Sequence, residues 1–157
     1  MMSQKSLSQN QELESRSPEM TLRLGKAFAK KLKPGSVIAL SGDLGSGKTT
    51  FIKGIAIGLG FQNSDEVKSP TFALMHIYPT AIPLYHFDLY RLQKLEEIQN
   101  IGLEEFVSDP RVITCIEWAE KAYSLLPFST IEVILETTGF HTRRITIRPP
   151  RKGVKRK

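Results

Sequence analysis

With a single cysteine, Cys115, the 157-residue sequence cannot form an internal disulfide, which fits a reducing compartment. Cys115 lies in the apolar run VITCI and reads as a small buried hydrophobe. No run of 18 apolar residues occurs, which excludes a membrane-spanning helix, and the first 17 residues (MMSQKSLSQNQELESRS) lack the apolar stretch of a secretory signal. These absences point to a cytoplasmic protein with no membrane contact. Internal repeats are absent as well. Acidic residues are missing from residues 141–157, which instead carry Arg143, Arg144, Arg148, Arg151, Lys152, Lys155, Arg156 and Lys157. Without those eight, 14 of the 22 basic residues remain against 16 acidic ones, so the net charge of +6 belongs to the C-terminal segment. Such a run either contacts RNA or an acidic partner through counterion release, or is a solvated end.

The length suits one α/β domain with a real core and is short for two. The sequence divides into a flexible polar leader over residues 1–16, a domain over 17–148 and a flexible basic tail over 149–157. Ser17-Pro18-Glu19 has the chemistry of a helix start, and Leu24, Phe28 and Leu32 recur every fourth residue until Pro34-Gly35. Residues 36–40 (SVIAL) then form a run of strand length. A second helix begins near Lys48, with Phe51, Ile55 and Leu59 on one face and Gly60 at its end. Residues 72–78 and 84–89 are bounded by prolines and predict a hairpin-like pair, with one short helix over 95–101. Residues 112–116 form a continuous apolar run, as in a strand covered on both faces. Ile131, Val133, Leu135 and then Ile145 and Ile147 alternate as two further strands.

Between the 36–40 strand and the second helix stands Gly42-Asp43-Leu44-Gly45-Ser46-Gly47-Lys48-Thr49, which satisfies GxxxxGK(S/T) in the strand–loop–helix context that confirms it. Glycines let backbone N–H groups converge on phosphate oxygens at a helix N-terminus. Lys48 supplies charge to the β and γ phosphates, and the Thr49 hydroxyl is placed to ligate Mg2+. The ligand is therefore ATP or GTP. A second metal contact is an acid at the end of a neighbouring strand, and Glu117, directly after the 112–116 run, is the choice. Asp88 shares a strand face with Leu84 and His86. It either orients an attacking water or is an acid at a strand end bonded to backbone. His86 reads as a satisfied, partly buried histidine outside the core site. Thr71, in Ser69-Pro70-Thr71-Phe72, stands where many P-loop proteins sense the γ-phosphate, although a plain turn fits equally. Trp118 is either core packing or a fluorophore that responds to nucleotide.

Taken together, these segments resemble the TsaE (YjeE) family of small ATPases in bacterial tRNA threonylcarbamoyladenosine synthesis. The match comprises Thr21 with Leu24-Gly25, the loop through Thr50, Lys68-Ser69-Pro70-Thr71-Phe72, the HFDLYR block from His86 to Arg91, and Ile116-Glu117-Trp118. It covers roughly residues 17–140, and Ser46 stands where the family usually has alanine. The resemblance implies Mg2+-dependent ATP binding, weak hydrolysis alone, and work with the TsaD and TsaB proteins that modify an adenosine beside the tRNA anticodon. It also implies phosphate contacts from Lys48 and residues 42–49, metal contacts from Thr49 and Glu117, and help with hydrolysis from Asp88. Thr50 would lie on the α-phosphate side, and Thr21, with residues 19–20, near the adenine. No arginine finger is evident beyond Arg91 as an internal candidate, so partners would supply one. The implied fold is a P-loop α/β three-layer sandwich around a mixed sheet, parallel near the nucleotide and antiparallel where residues 72–89 double back.

Two other functions fit part of the pattern. A small-molecule or nucleotide kinase shares the P-loop, but no lid or acceptor-binding arginine cluster is recognisable. A nucleotide-regulated RNA-binding protein would use residues 141–157 as its contact.

Overall fold

In the computed structural model, which describes residues 7–150, helix α1 (Pro18–Ala29) starts as its sequence dictates. The Ser17 hydroxyl accepts from the Met20 N–H at 3.0 Å, with proline at the first position and Glu19 in the first turn. It ends at Ala29, short of Pro34, and residues 30–31 continue as a turn. Helix α2 (Lys48–Gly58) packs on α1 at very close range. A Cβ on Gly25 would lie 2.2 Å from the Phe51 carbonyl oxygen, and one on Gly54 would lie 2.2 Å from that of Leu22. The glycines of α2 thus trade helix propensity for contact.

Seven strands form one sheet: β1 (Gln11–Ser15), β2 (Val37–Ser41), β3 (Met75–Tyr78), β4 (Leu84–Asp88), β5 (Ile113–Glu117), β6 (Ile131–Thr137) and β7 (Arg143–Arg148). Their order is β1-β7-β6-β2-β5-β4-β3. Pairings β4–β5, β5–β2 and β2–β6 are parallel, while β3–β4, β6–β7 and β1–β7 are antiparallel. This is the expected mixed sheet in a three-layer α/β sandwich. Along β2, Ile38 and Leu40 face α1 and α2, where Phe28, Phe51, Ile52 and Ile55 close one core. Val37 and Ala39 face the opposite side, where Ile98 of α3 (Leu95–Asn100), Leu103 of α4 (Leu103–Val107) and Ala119 close the second. Each fully buried aliphatic side chain here contributes about 1.5–3 kcal/mol. Cys115 is wholly buried in the first core, as its sequence context predicts.

Three features depart from expectation. Strand β1 lies inside the segment read as a flexible leader, so the ordered sheet begins at Gln11 rather than residue 17. Its signal is weak because only Leu13 is apolar, while the Ser15 hydroxyl is buried against that of Thr21 at 2.7 Å. Strand β3 begins at Met75 rather than residue 72, because Leu74 N–H closes a turn onto the Pro70 carbonyl at 2.7 Å. Helix α4 follows α3 as a second short helix across Gly102, whose φ of 79° permits the break. At the other end, three of the basic residues belong to β7, where Arg144 meets Glu136 and Arg148 meets Glu132, each at 3.5 Å. Residues 1–6 of the expected leader and 151–157 of the expected tail lie outside the described residues.

Candidate active site

The C-terminal ends of β2, β5 and β4 share one edge of the sheet, with Leu40 in register with Glu117 and Glu117 in register with Asp88. Strand β2 runs directly into the phosphate loop. Gly42 has φ 146°, and a Cβ there would stand 2.3 Å from the Leu135 carbonyl oxygen, so no other residue fits. Gly47, with φ 102°, turns the chain into α2. Gly42 and Asp43 shape the loop from below: their carbonyls accept from Lys48 Nζ at 2.5 and 3.1 Å. Lys48 is only 4% exposed, and its Nζ lies 4.3 Å from the Trp118 ring centroid. Burial pushes its pKa below the usual lysine value, against the opposing pull of the Glu117 and Glu120 carboxylates.

A cavity of about 370 Å³ opens over this loop. Residues 44–50 line it together with Ser69, Thr71, Asp88, Tyr90, Glu117 and Trp118. The Thr49 hydroxyl donates to Glu117 Oε1 at 2.9 Å, and His86 Nε2 bonds Glu117 Oε2 at 2.6 Å. Asp88 accepts from the Tyr90 N–H at 2.9 Å through Oδ1, and from the Ser69 and Thr71 hydroxyls through Oδ2, the latter at 3.2 Å. Asp88 is thus bonded to backbone through one oxygen, as one of its two readings expects, and to the Ser69 and Thr71 hydroxyls through the other. Residues 70–74 form a turn, and that turn delivers Thr71 to Asp88. Among the described residues the non-glycine positions with left-handed φ are Leu74 at 66° and Trp118 at 58°, and both flank this site. Strain of this kind persists where surrounding structure enforces it.

A smaller cavity of about 120 Å³ lies on the other side of the loop, between Ser17, Pro18, Thr21 and residues 45–47 on one hand and Phe140, His141 and Arg143 on the other. Thr50 lines both cavities. Thr21 is therefore beside the loop, with its hydroxyl engaged by Ser15. Arg91 does not line the main cavity: its guanidinium lies 4.8 Å from the Phe72 ring centroid. Sequence reasoning set aside His86 and did not single out Arg143, whose Nη2 donates to the Gly45 carbonyl at 3.2 Å. For His86 the signal was present, since alternation puts it on the Asp88 face of β4. For Arg143 none was, because its neighbours in sequence are loop and strand. Larger cavities of about 470 and 580 Å³, beside Phe128 and beside Lys30 respectively, lack such a convergence of carboxylates, lysine and loop amides.

The family description "Threonylcarbamoyl adenosine biosynthesis protein TsaE" matches residues 15–145. The chain belongs to the TsaE family. A TsaE protein of Treponema pallidum is 43% identical over 133 residues, covering 85% of this chain and 96% of that one. Its Bacillus subtilis counterpart is 40% identical over 130 residues, with 82% and 79% covered. The crystal structure of Bacillus subtilis YdiB superposes with a TM-score of 0.74 at 32% identity, covering 91% of this chain and 87% of that one. The family places the chain in tRNA threonylcarbamoyladenosine biosynthesis. Among the described residues no helix is long and apolar enough to cross a membrane.

The donor set fits a nucleotide with Mg2+. Thr49 and Glu117 present hard oxygens side by side, yet among the described residues no group of three or more His, Cys, Asp or Glu could hold a metal alone. Mg2+ takes one or two protein ligands and completes its shell with phosphates and water, so Thr49 and Glu117 would suffice for it. The Ser46 hydroxyl is wholly buried against Gly42 and has no hydrogen-bond partner among the described residues.

Proposed function

We propose that this TsaE-family chain is a cytoplasmic, Mg2+-dependent ATPase that acts with the TsaD and TsaB proteins to sustain threonylcarbamoyl transfer to a tRNA adenosine. The observation that carries this reading is the convergence of Lys48, Thr49, Asp88 and Glu117 on one cavity over the phosphate loop. ATP lies with its β and γ phosphates over residues 44–49 and its nucleoside toward Thr50, Thr21 and the smaller cavity. Thr49 and Glu117 would hold Mg2+, which would supply positive charge for the phosphates. Lys48 leaves the Gly42 and Asp43 carbonyls for the phosphate oxygens. Asp88, fixed by Ser69, Thr71 and Tyr90, orients a water against the γ-phosphorus; the bond to the bridging oxygen breaks, and ADP and inorganic phosphate leave.

The chain's own cavity is short of positive charge for that transition state. Among its described lining residues Lys48 is the single cation. The mouth is rimmed by Leu44 and Tyr90, with Phe72 beside Thr71; Leu44 is 77% and Phe72 87% exposed. Large apolar side chains left in water beside a catalytic cleft suit a protein partner that covers it and adds the missing cation. The test is to follow labelled γ-phosphate with TsaD, TsaB and tRNA present. Release as inorganic phosphate, stimulated by the partners and lost in Glu117→Gln, is the expected result. Label on a small-molecule acceptor would make the chain a kinase and overturn the proposal.

A further inference from the structure

His86 is wholly buried, and every polar contact it makes leads toward the proposed metal carboxylate or away from it along one path. Its Nε2 meets Glu117 Oε2 at 2.6 Å, and its Nδ1 lies 3.3 Å from the Tyr78 hydroxyl. Tyr78 OH also reaches the Lys68 carbonyl at 3.4 Å. A carboxylate oxygen accepts, so Nε2 carries the hydrogen whichever way the Tyr78 contact runs. The adjoining residue, Ser69, holds Asp88. Residues 68–71 thus reach both carboxylates: Asp88 directly, Glu117 through Tyr78 and His86.

We propose that His86 is a positioning residue that fixes the Glu117 carboxylate for Mg2+ and ties it, through Tyr78, to residues 68–71. The inference rests on Glu117 being the metal contact. Glu117 is only 3% exposed, and its second oxygen is bonded to the imidazole. Without the imidazole, the carboxylate would be free to turn Oε1 away from Thr49 or would sit with an unpaired buried oxygen. Partners of metal ligands commonly control affinity in this way.

The experiment titrates Mg2+ into the protein carrying a fluorescent, non-hydrolysable ATP analogue, with nucleotide affinity in EDTA measured alongside. His86→Leu should weaken the Mg2+ midpoint about 10–100-fold while metal-free nucleotide affinity stays within about twofold. His86→Gln, whose amide can still donate to Glu117, should recover most of that loss, and Tyr78→Phe should show a smaller one of about 3–10-fold. Thermal unfolding of each variant identifies any that fail to fold, and if His86→Leu does, Tyr78→Phe carries the test, an unchanged Mg2+ midpoint there overturning the proposal. An unchanged Mg2+ midpoint in His86→Leu, or equal losses with and without metal, overturns the proposal. Glu117→Gln separates the two levels: if it too leaves the midpoint unchanged, the metal assignment itself fails.

Discussion

Lys48 is held in a conflict: a buried ammonium bonded to two carbonyls, its charge disfavoured by desolvation. Because its folded pKa lies below the ordinary 10.5, the folded state binds fewer protons than the unfolded chain. The burial cost is therefore present at neutral pH and is relieved as pH rises toward 10.5. Lys48→Met should raise the melting temperature of the nucleotide-free protein, by about 2–4 °C for each 1 kcal/mol relieved, while abolishing nucleotide binding. Calorimetry with and without ATP reads both effects. Asp88→Asn should lower partner-stimulated phosphate release by about 100-fold or more with nucleotide affinity retained, as expected for a group that acts on the attacking water. At this scale the sequence was legible where chemistry is local: residues 42–49, and Glu117 after its apolar run. It was less legible for His86, whose role depends on a carboxylate 31 positions away.

The elements are legible where periodicity is strong and obscure where contact replaces it. Gly54 is a poor helix former within α2, yet it is where the Leu22 carbonyl of α1 comes closest. Gly54→Ala should destabilise by about 3 kcal/mol through overpacking, lowering the melting temperature by about 6–12 °C, although alanine is the better helix former. An unchanged melting temperature would show that α1 can shift away. Strand β1 escaped detection because a strand with one apolar residue is recognised only by its partner, β7. Helix α4 escaped because its five residues fall below the length at which helical periodicity can be read.

For the molecule as a whole, the buried thiol and phenol set an alkaline limit. Burial raises Cys115 from its ordinary 9.0, and pushes Tyr78 from 10.0 to about 12. Both folded pKa values lie above the unfolded ones, so the stabilisation is fully present below pH 9.0 and is lost as pH climbs through the folded values. Melting temperature should fall progressively above pH 9.0, and the fall should be shallower in a Cys115→Ala, Tyr78→Phe double variant. Thermal melts across a pH 8–11 series measure it, about two units being enough to expose the slope.

The register of β4 on β5 also sets where the chain can change length. Asp88 and Glu117 stand opposite one another on paired strands. One residue inserted within β4 would carry Asp88 about 3.3 Å along the strand and turn it to the other face. An insertion of the same size in residues 79–83, between β3 and β4, would leave that alignment alone. Length variation among natural relatives should therefore collect in such turns and be absent from these two strands, so that the sheet serves as the frame that keeps two distant stretches of sequence at a fixed mutual offset.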